Sequence, residues 1–163
     1  MTEVPLRLVV TGGPDVVAAA VGELSSSFGH VVQAGPTDFE PGDLWAAVGE
    51  SLSRFDRRIC AEARHTSFVS SGSVLDDWTA LNRRLSSEAG VGRGDARFAR
   101  RYLRMHRETS IRHARTAYDA VVVIGDALDP DLSDLIAATD LTLVTHPPTT
   151  PASLIIDELG GTP

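Results

Sequence analysis

Leu6-Arg7-Leu8-Val9-Val10-Thr11-Gly12-Gly13-Pro14-Asp15-Val16-Val17 is the stretch that decides the fold class. An apolar run without polar alternation reads as a strand buried on both faces, and it ends in a Gly-Gly-Pro turn. Asp15 is a candidate N-cap, and Val16, Val17, Ala20, Val21 and Leu24 recur at helical spacing until Ser25-Ser26-Ser27 and Gly29. A buried strand running through a glycine turn into a helix is the opening unit of a parallel α/β sheet.

The same alternation continues outward. Val31-Val32 reads as a short second strand, followed by a loop containing Pro36 and Pro41. Leu44 to about Ala63 has apolar positions 44, 48, 52, 55 and 59, which predicts a helix with that stripe toward the core. Thr66 to Ser70 is the third strand; Ser73 caps the next helix, which carries Val74, Leu75, Trp78, Leu81 and Leu85 toward the glycine-rich Gly90–Gly94. An arginine-rich helix is expected from Asp95 to about Tyr118. Ala120 to Gly125 is the clearest strand, Pro130 to Ala138 a short helix, Leu141 to Thr145 a last strand, and Ala152 to Leu159 a last helix. With no repeat or linker in the sequence, residues 1–163 are expected to form a single domain: a three-layer α/β sandwich around a five-stranded parallel sheet.

The chain has 163 residues with 42% hydrophobic side chains, enough for one buried core. Its longest apolar run, Val121 to Ile124, is far short of a membrane span, and no basic-then-apolar leader opens the sequence. The expectation is a soluble, cytoplasmic protein. The single Cys60 excludes an intramolecular disulfide framework and a cysteine-based metal cluster. All 15 basic residues are arginine, so chemistry that needs a lysine is excluded. Charge is unevenly spread: Arg93 to Arg115 holds eight arginines against Asp95 and Glu108, a balance of +6 in a chain of net charge −7. One basic element therefore sits on an acidic body, with a phosphate, a partner or that body itself as its target.

Strand, Thr11-Gly12-Gly13-Pro14 and immediate helix occupy the place of the phosphate-binding loop in P-loop nucleoside and nucleotide kinases, which the chain resembles. More particularly, it is similar to small ATP-binding proteins akin to ribosylnicotinamide kinases. Val69-Ser70-Ser71-Gly72-Ser73-Val74-Leu75-Asp76-Asp77-Trp78 looks like their third strand and Ser-Asp-Gly-Ser-type turn, and Arg112 to Val122 like their helix and fourth strand. The resemblance implies strand order 2-3-1-4-5 and a P-loop kinase-like fold. The departures carry the functional expectation. A working P-loop needs a lysine for the outer phosphates and a hydroxyl for Mg²⁺, but those positions fall within Val17-Ala18-Ala19-Ala20. Asp15 adds negative charge at the loop, and a serine at Ser70 or Ser71 replaces the family's acidic residue. Gly125-Asp126-Ala127-Leu128-Asp129-Pro130 has no basic lid. Phosphoryl transfer is almost entirely positioning and electrostatics, so these losses imply a degenerate enzyme.

Other constellations give weaker expectations. Arg97, Arg100, Arg104 and Arg107 share a helix face, with Phe98, Tyr102 and Met105 on another, and could hold an anionic ligand, pair with the acidic body, or solvate a surface helix. Nucleic-acid binding is not expected, for want of aromatic interleaving and at a pI of about 5.1. The five histidines lack metal-ligand spacing, so no metal is expected, although His106 and His113 share a helix and offer an acid-base pair. Asp76 and Asp77 could do acid-base work, though as neighbours they point apart, and no Gly-x-Ser-x-Gly elbow supports a serine hydrolase at Ser70, Ser71 or Ser73. His146 ends a strand before Pro147-Pro148, where open sheets bind ligands.

Candidate ligand contacts are thus Gly12, Gly13 and Asp15 in the first turn, and Ser70, Ser71, Asp76, Asp77 and Trp78 around the third strand. Arg104, Arg112, Arg115 and His146 complete them. No catalytic residue is assigned. The expected role is a kinase-like binding or accessory subunit for a biosynthetic or regulatory partner, with homodimerisation open. Two further readings are an enzyme whose former nucleotide pocket does non-ATP chemistry on a small metabolite, and a weak nucleotide sensor or residual phosphotransferase using the first helix N-terminus with Arg112 or Arg115. Neither ATP·Mg²⁺ nor another cofactor is required by the leading reading.

Overall fold

A computed structural model describes residues 6–28, 31–32, 39, 42–87, 92–125 and 128–159. The elements are β1 (Arg7–Gly12), α1 (Pro14–Phe28), β2 (Val31–Val32), α2 (Leu44–Glu62), β3 (Phe68–Ser71), α3 (Val74–Ser86), α4 (Arg93–Ala117), β4 (Ala120–Ile124), α5 (Pro130–Ala137), β5 (Thr142–His146) and α6 (Ala152–Glu158). Four strands of four to six residues form a parallel sheet in the order β3-β1-β4-β5. The two-residue β2, at the Val31-Val32 read as a short strand, pairs with the outer edge of β3 through Val31–Val69 and Val32–Ser70. The register sets Val9 level with Ser70 and Val121, and Gly12 level with Ile124 and His146.

Apolar residues on both faces of β1 and β4 give the sheet two cores. Val9, Phe68, Val121 and Val123 pack with Leu75, Trp78, Ala114, Tyr118 and Leu135 from α3, α4 and α5. Leu8, Val10, Val69 and Val122 pack with Val17, Val21 and Leu24 of α1 and Ile155 of α6. Helices therefore cover both faces, and each fully buried Leu or Val contributes about 1.5–3 kcal/mol. Among the described residues no helix is long and apolar enough to cross a membrane.

The helix ends follow local chemistry. Pro14 stands at the first position of α1, where its missing N–H costs nothing, so Asp15 lies inside the first turn rather than at the expected N-cap. α1 also runs on through the three serines to Phe28, while Gly29 lies outside the described residues, as do Pro36, Pro41, Gly90, Val91, Asp126 and Ala127. Ser73 forms a full capping box with Asp76. Asp129 accepts from the Asp131 N–H beside Pro130. α4 starts at Arg93, two residues before Asp95, because Gly94 is accommodated in its exposed first turn.

The buried line of α2 also differs from the expected stripe. It runs through Leu44, Ala47, Val48, Ser51, Arg54, Arg58 and Glu62, while Leu52 is 55% exposed. The polar members of that line are tolerated because α3, α4 and β3 supply partners for Arg58 and Glu62, and Ser51 meets the Tyr102 hydroxyl.

Candidate functional site

The carboxyl ends of the parallel strands gather the first-turn glycines, the β3–α3 turn and His146 along one edge of the sheet, the position where open α/β sheets bind ligands. Gly12 and Gly13 are exposed there, with Asp15 beside them in the first turn of α1. Beneath the turn, the Thr11 hydroxyl donates to Asp76 Oδ1 at 2.5 Å. Asp76 Oδ2 accepts from the Ser73 backbone N–H at 2.7 Å and the Ser73 hydroxyl at 2.6 Å. Burial raises the Asp76 carboxyl above its ordinary value, and these hydrogen bonds oppose the shift without cancelling it. The turn is thus fastened to α3 by a carboxylate.

Asp77, the next residue, faces the opposite way. Its Oδ2 accepts from Arg58 Nε at 2.9 Å, while Arg58 Nη1 donates to Ser70 Oγ at 3.1 Å and to the Gly72 carbonyl at 3.0 Å. Ser70 also donates to the Gly72 carbonyl at 3.0 Å. Gly72 has φ +69°, and this left-handed turn presents its carbonyl to both donors. A lone arginine within a helix gives no local sign of burial, so the sequence does not point to Arg58. Ser71 pairs through its backbone with Val10 and is half-buried.

Other candidates are dispersed. Trp78 belongs to the core, its Nε1 donating to the Leu103 carbonyl at 2.9 Å. Arg104 is exposed on α4. Arg112 and Arg115 lie in the last turns of α4, toward the edge where β4 begins and away from the Gly12–Gly13 turn, so they do not join it in one site. Arg115 donates to the Ala138 carbonyl and lies 3.7 Å from Asp140. His146 Nε2 is buried and stands 3.2 Å from Glu158 Oε2 of α6, but makes no hydrogen bond among the described residues. Of the arginines from Arg93 to Arg115, only Arg115 pairs with the acidic body among the described residues.

A second polar cluster lies between α2 and α4. Glu62 is buried, accepting from the Tyr118 hydroxyl at 2.9 Å and standing 2.7 Å from His113 Nε2. Burial and the Glu62 carboxylate raise the Tyr118 phenol well above its ordinary value, so it stays protonated as a donor. His106 and His113, the expected acid-base pair, do not share a partner: His106 Nε2 and Ser110 Oγ are both buried without one among the described residues. Among the described residues no group of three or more His, Cys, Asp or Glu side chains could hold a metal ion.

Burial lowers the His106 imidazole below its ordinary value, and Asp77 only partly restores it. The folded state then binds fewer protons than the unfolded chain below about pH 6.5, so His106 contributes stability at neutral pH that is lost on acidification. Urea unfolding at pH 7.5 and 5.5 should show a smaller loss for His106→Phe than for the parent chain, by up to about 1.4 kcal/mol. Equal losses in the two proteins would show that His106 does not titrate in this way.

The sequence matches no family model, and no curated protein or solved structure is significantly similar to it.

Proposed function

We propose that the chain is a catalytically degenerate P-loop kinase-like protein that serves as a binding or accessory subunit. One observation carries the reading: the groups beneath the first turn, Thr11, Ser73 and Asp76, are spent on holding one another. A carboxylate stands where a polyphosphate would need cations. The buried guanidinium of Arg58 is committed to Asp77, Ser70 and Gly72. With no lysine in the chain, the electrostatic stabilisation that makes up most of phosphoryl-transfer catalysis has no source among the described residues at this edge. The order β2-β3-β1-β4-β5, with its two-residue β2, agrees with the kinase-like arrangement and supports inherited architecture without the chemistry.

Thermal unfolding with and without millimolar ATP·Mg²⁺, paired with a phosphate-release assay, tests the reading. A ligand at 100 times its Kd would add about 2.7 kcal/mol and raise Tm by roughly 5–10 °C in a domain of this size. The expected result is no shift and no release above the protein-free rate. A clear rise in Tm, or phosphate release abolished by Gly13→Glu, overturns it. A Cβ at Gly13 has nothing within 4 Å, so the turn has room for a side chain, and an unchanged Tm without ATP checks that the variant folds.

A further inference from the structure

We infer that the seam between α2 and α4 docks an acidic amphipathic helix of a partner protein. The inference goes beyond the proposed function and stands whether or not the sheet edge binds nucleotide. α2 and α4 run side by side in the same direction. Trp45 lies 4.7 Å from Phe98 between ring centroids, the Tyr102 hydroxyl meets Ser51, Phe55 packs edge-on against His106, and Glu62 meets His113. Their outer side exposes four large apolar side chains: Trp45 at 57%, Leu52 at 55%, Phe98 at 36% and Met105 at 55%. Trp45 and Leu52 stand two helical turns apart on α2, as do Phe98 and Met105 on α4, so the apolar row extends about 10 Å along the seam.

Charge identifies the occupant. Arg97, Arg101 and Arg104 follow at spacings of four and three, forming an exposed row that borders Phe98 and Met105 on α4. None of the three has an ion-pair partner among the described residues. A helix with apolar residues at i, i+3, i+4 and i+7 can set them into the seam while its Asp and Glu residues meet the arginine row. Nucleic acid fits less well. The Phe98 ring is flanked by Trp45 and by Tyr102 at 6.2 Å, Leu52 and Met105 offer no stacking surface, and the chain as a whole carries −7. A second copy meeting through the same seam would set arginine rows against each other.

The test uses the full chain and a fluorescein-labelled peptide of about 18 residues, five helical turns, with Leu at the seam-facing positions and Glu elsewhere. A shuffled peptide of identical composition is the control. Anisotropy should show saturable binding of the amphipathic peptide that weakens with added salt. It should weaken by about tenfold or more in Leu52→Glu/Met105→Glu and in Arg101→Glu/Arg104→Glu. All four residues are exposed, and unchanged thermal melting confirms that the variants fold. Equal binding of the shuffled peptide, binding indifferent to both double variants, or absence of saturation overturns the inference. So does tighter binding of oligo(dT), or a dimer in sedimentation that Met105→Glu disperses.

Discussion

Replacing Arg58 by alanine is expected to cost about 3–5 kcal/mol of folding free energy, a large share of the roughly 5–15 kcal/mol that holds a domain of this kind. The side chain is buried at 6% exposure and serves three acceptors at once: Asp77, Ser70 and the Gly72 carbonyl. Burial by itself would lower the guanidinium, but Asp77, with Tyr118 and Glu62 behind it, outweighs that effect and the net shift is upward. Truncation therefore removes more than a contact. It strands the Asp77 carboxylate, whose side chain is only 12% exposed, and leaves the Gly72 carbonyl with Ser70 as its remaining donor. Arg58→Lys should recover little, because a single ammonium cannot reproduce the planar set of donors. Arg58→Met/Asp77→Leu should recover much of the loss, since removing both charges removes the desolvation cost as well. Urea unfolding of the three variants measures this, and an Arg58→Ala protein within 1 kcal/mol of the parent would refute it.

That network marks the boundary of what the sequence discloses. Val121-Val122-Val123-Ile124 reads as a buried strand and Ser73 as a helix cap, because both signals lie within a few residues. Arg58 and Glu62 carry no such local sign. Their partners come from Ser70, Gly72, Asp77, His113 and Tyr118, placed by other elements 12 to 56 residues away. Periodicity alone assigns the core face of α2 to its apolar positions and puts Leu52 inside. In the fold, the paired charges take the buried line and Leu52 turns outward. The divergence of Asp76 and Asp77 was legible from helical geometry, whereas the Thr11 hydroxyl that meets Asp76 comes from β1, 65 residues earlier. The arginines of α4 show the same limit. Their number is plain in the sequence, but that most of them lack ion pairs with the acidic body among the described residues depends on where α4 lies.

Gly12→Ala should destabilise the fold by at least about 3 kcal/mol while Gly13→Ala stays within about 1 kcal/mol of the parent. Gly12 has φ +146°, a conformation that side chains rarely adopt, and a Cβ there would stand 2.2 Å from the carbonyl oxygen of Ile124. That oxygen belongs to the backbone of β4, which is paired with β1 on one side and β5 on the other, so it cannot swing aside as a flexible side chain could. Relief requires the ends of β1 and β4 to separate, opening the sheet at its centre. Gly13 has open space around its Cβ position and no positive φ, and alanine there also reduces the freedom of the unfolded chain. The comparison separates two reasons for a glycine pair. A turn kept for close approach to phosphate would need both glycines and would lose binding with either change. A turn kept by the geometry of the sheet needs only Gly12. Paired denaturation curves showing equal destabilisation at the two positions would refute the second explanation. A large effect confined to Gly12 would mean that strand packing alone accounts for the more constrained half of the turn.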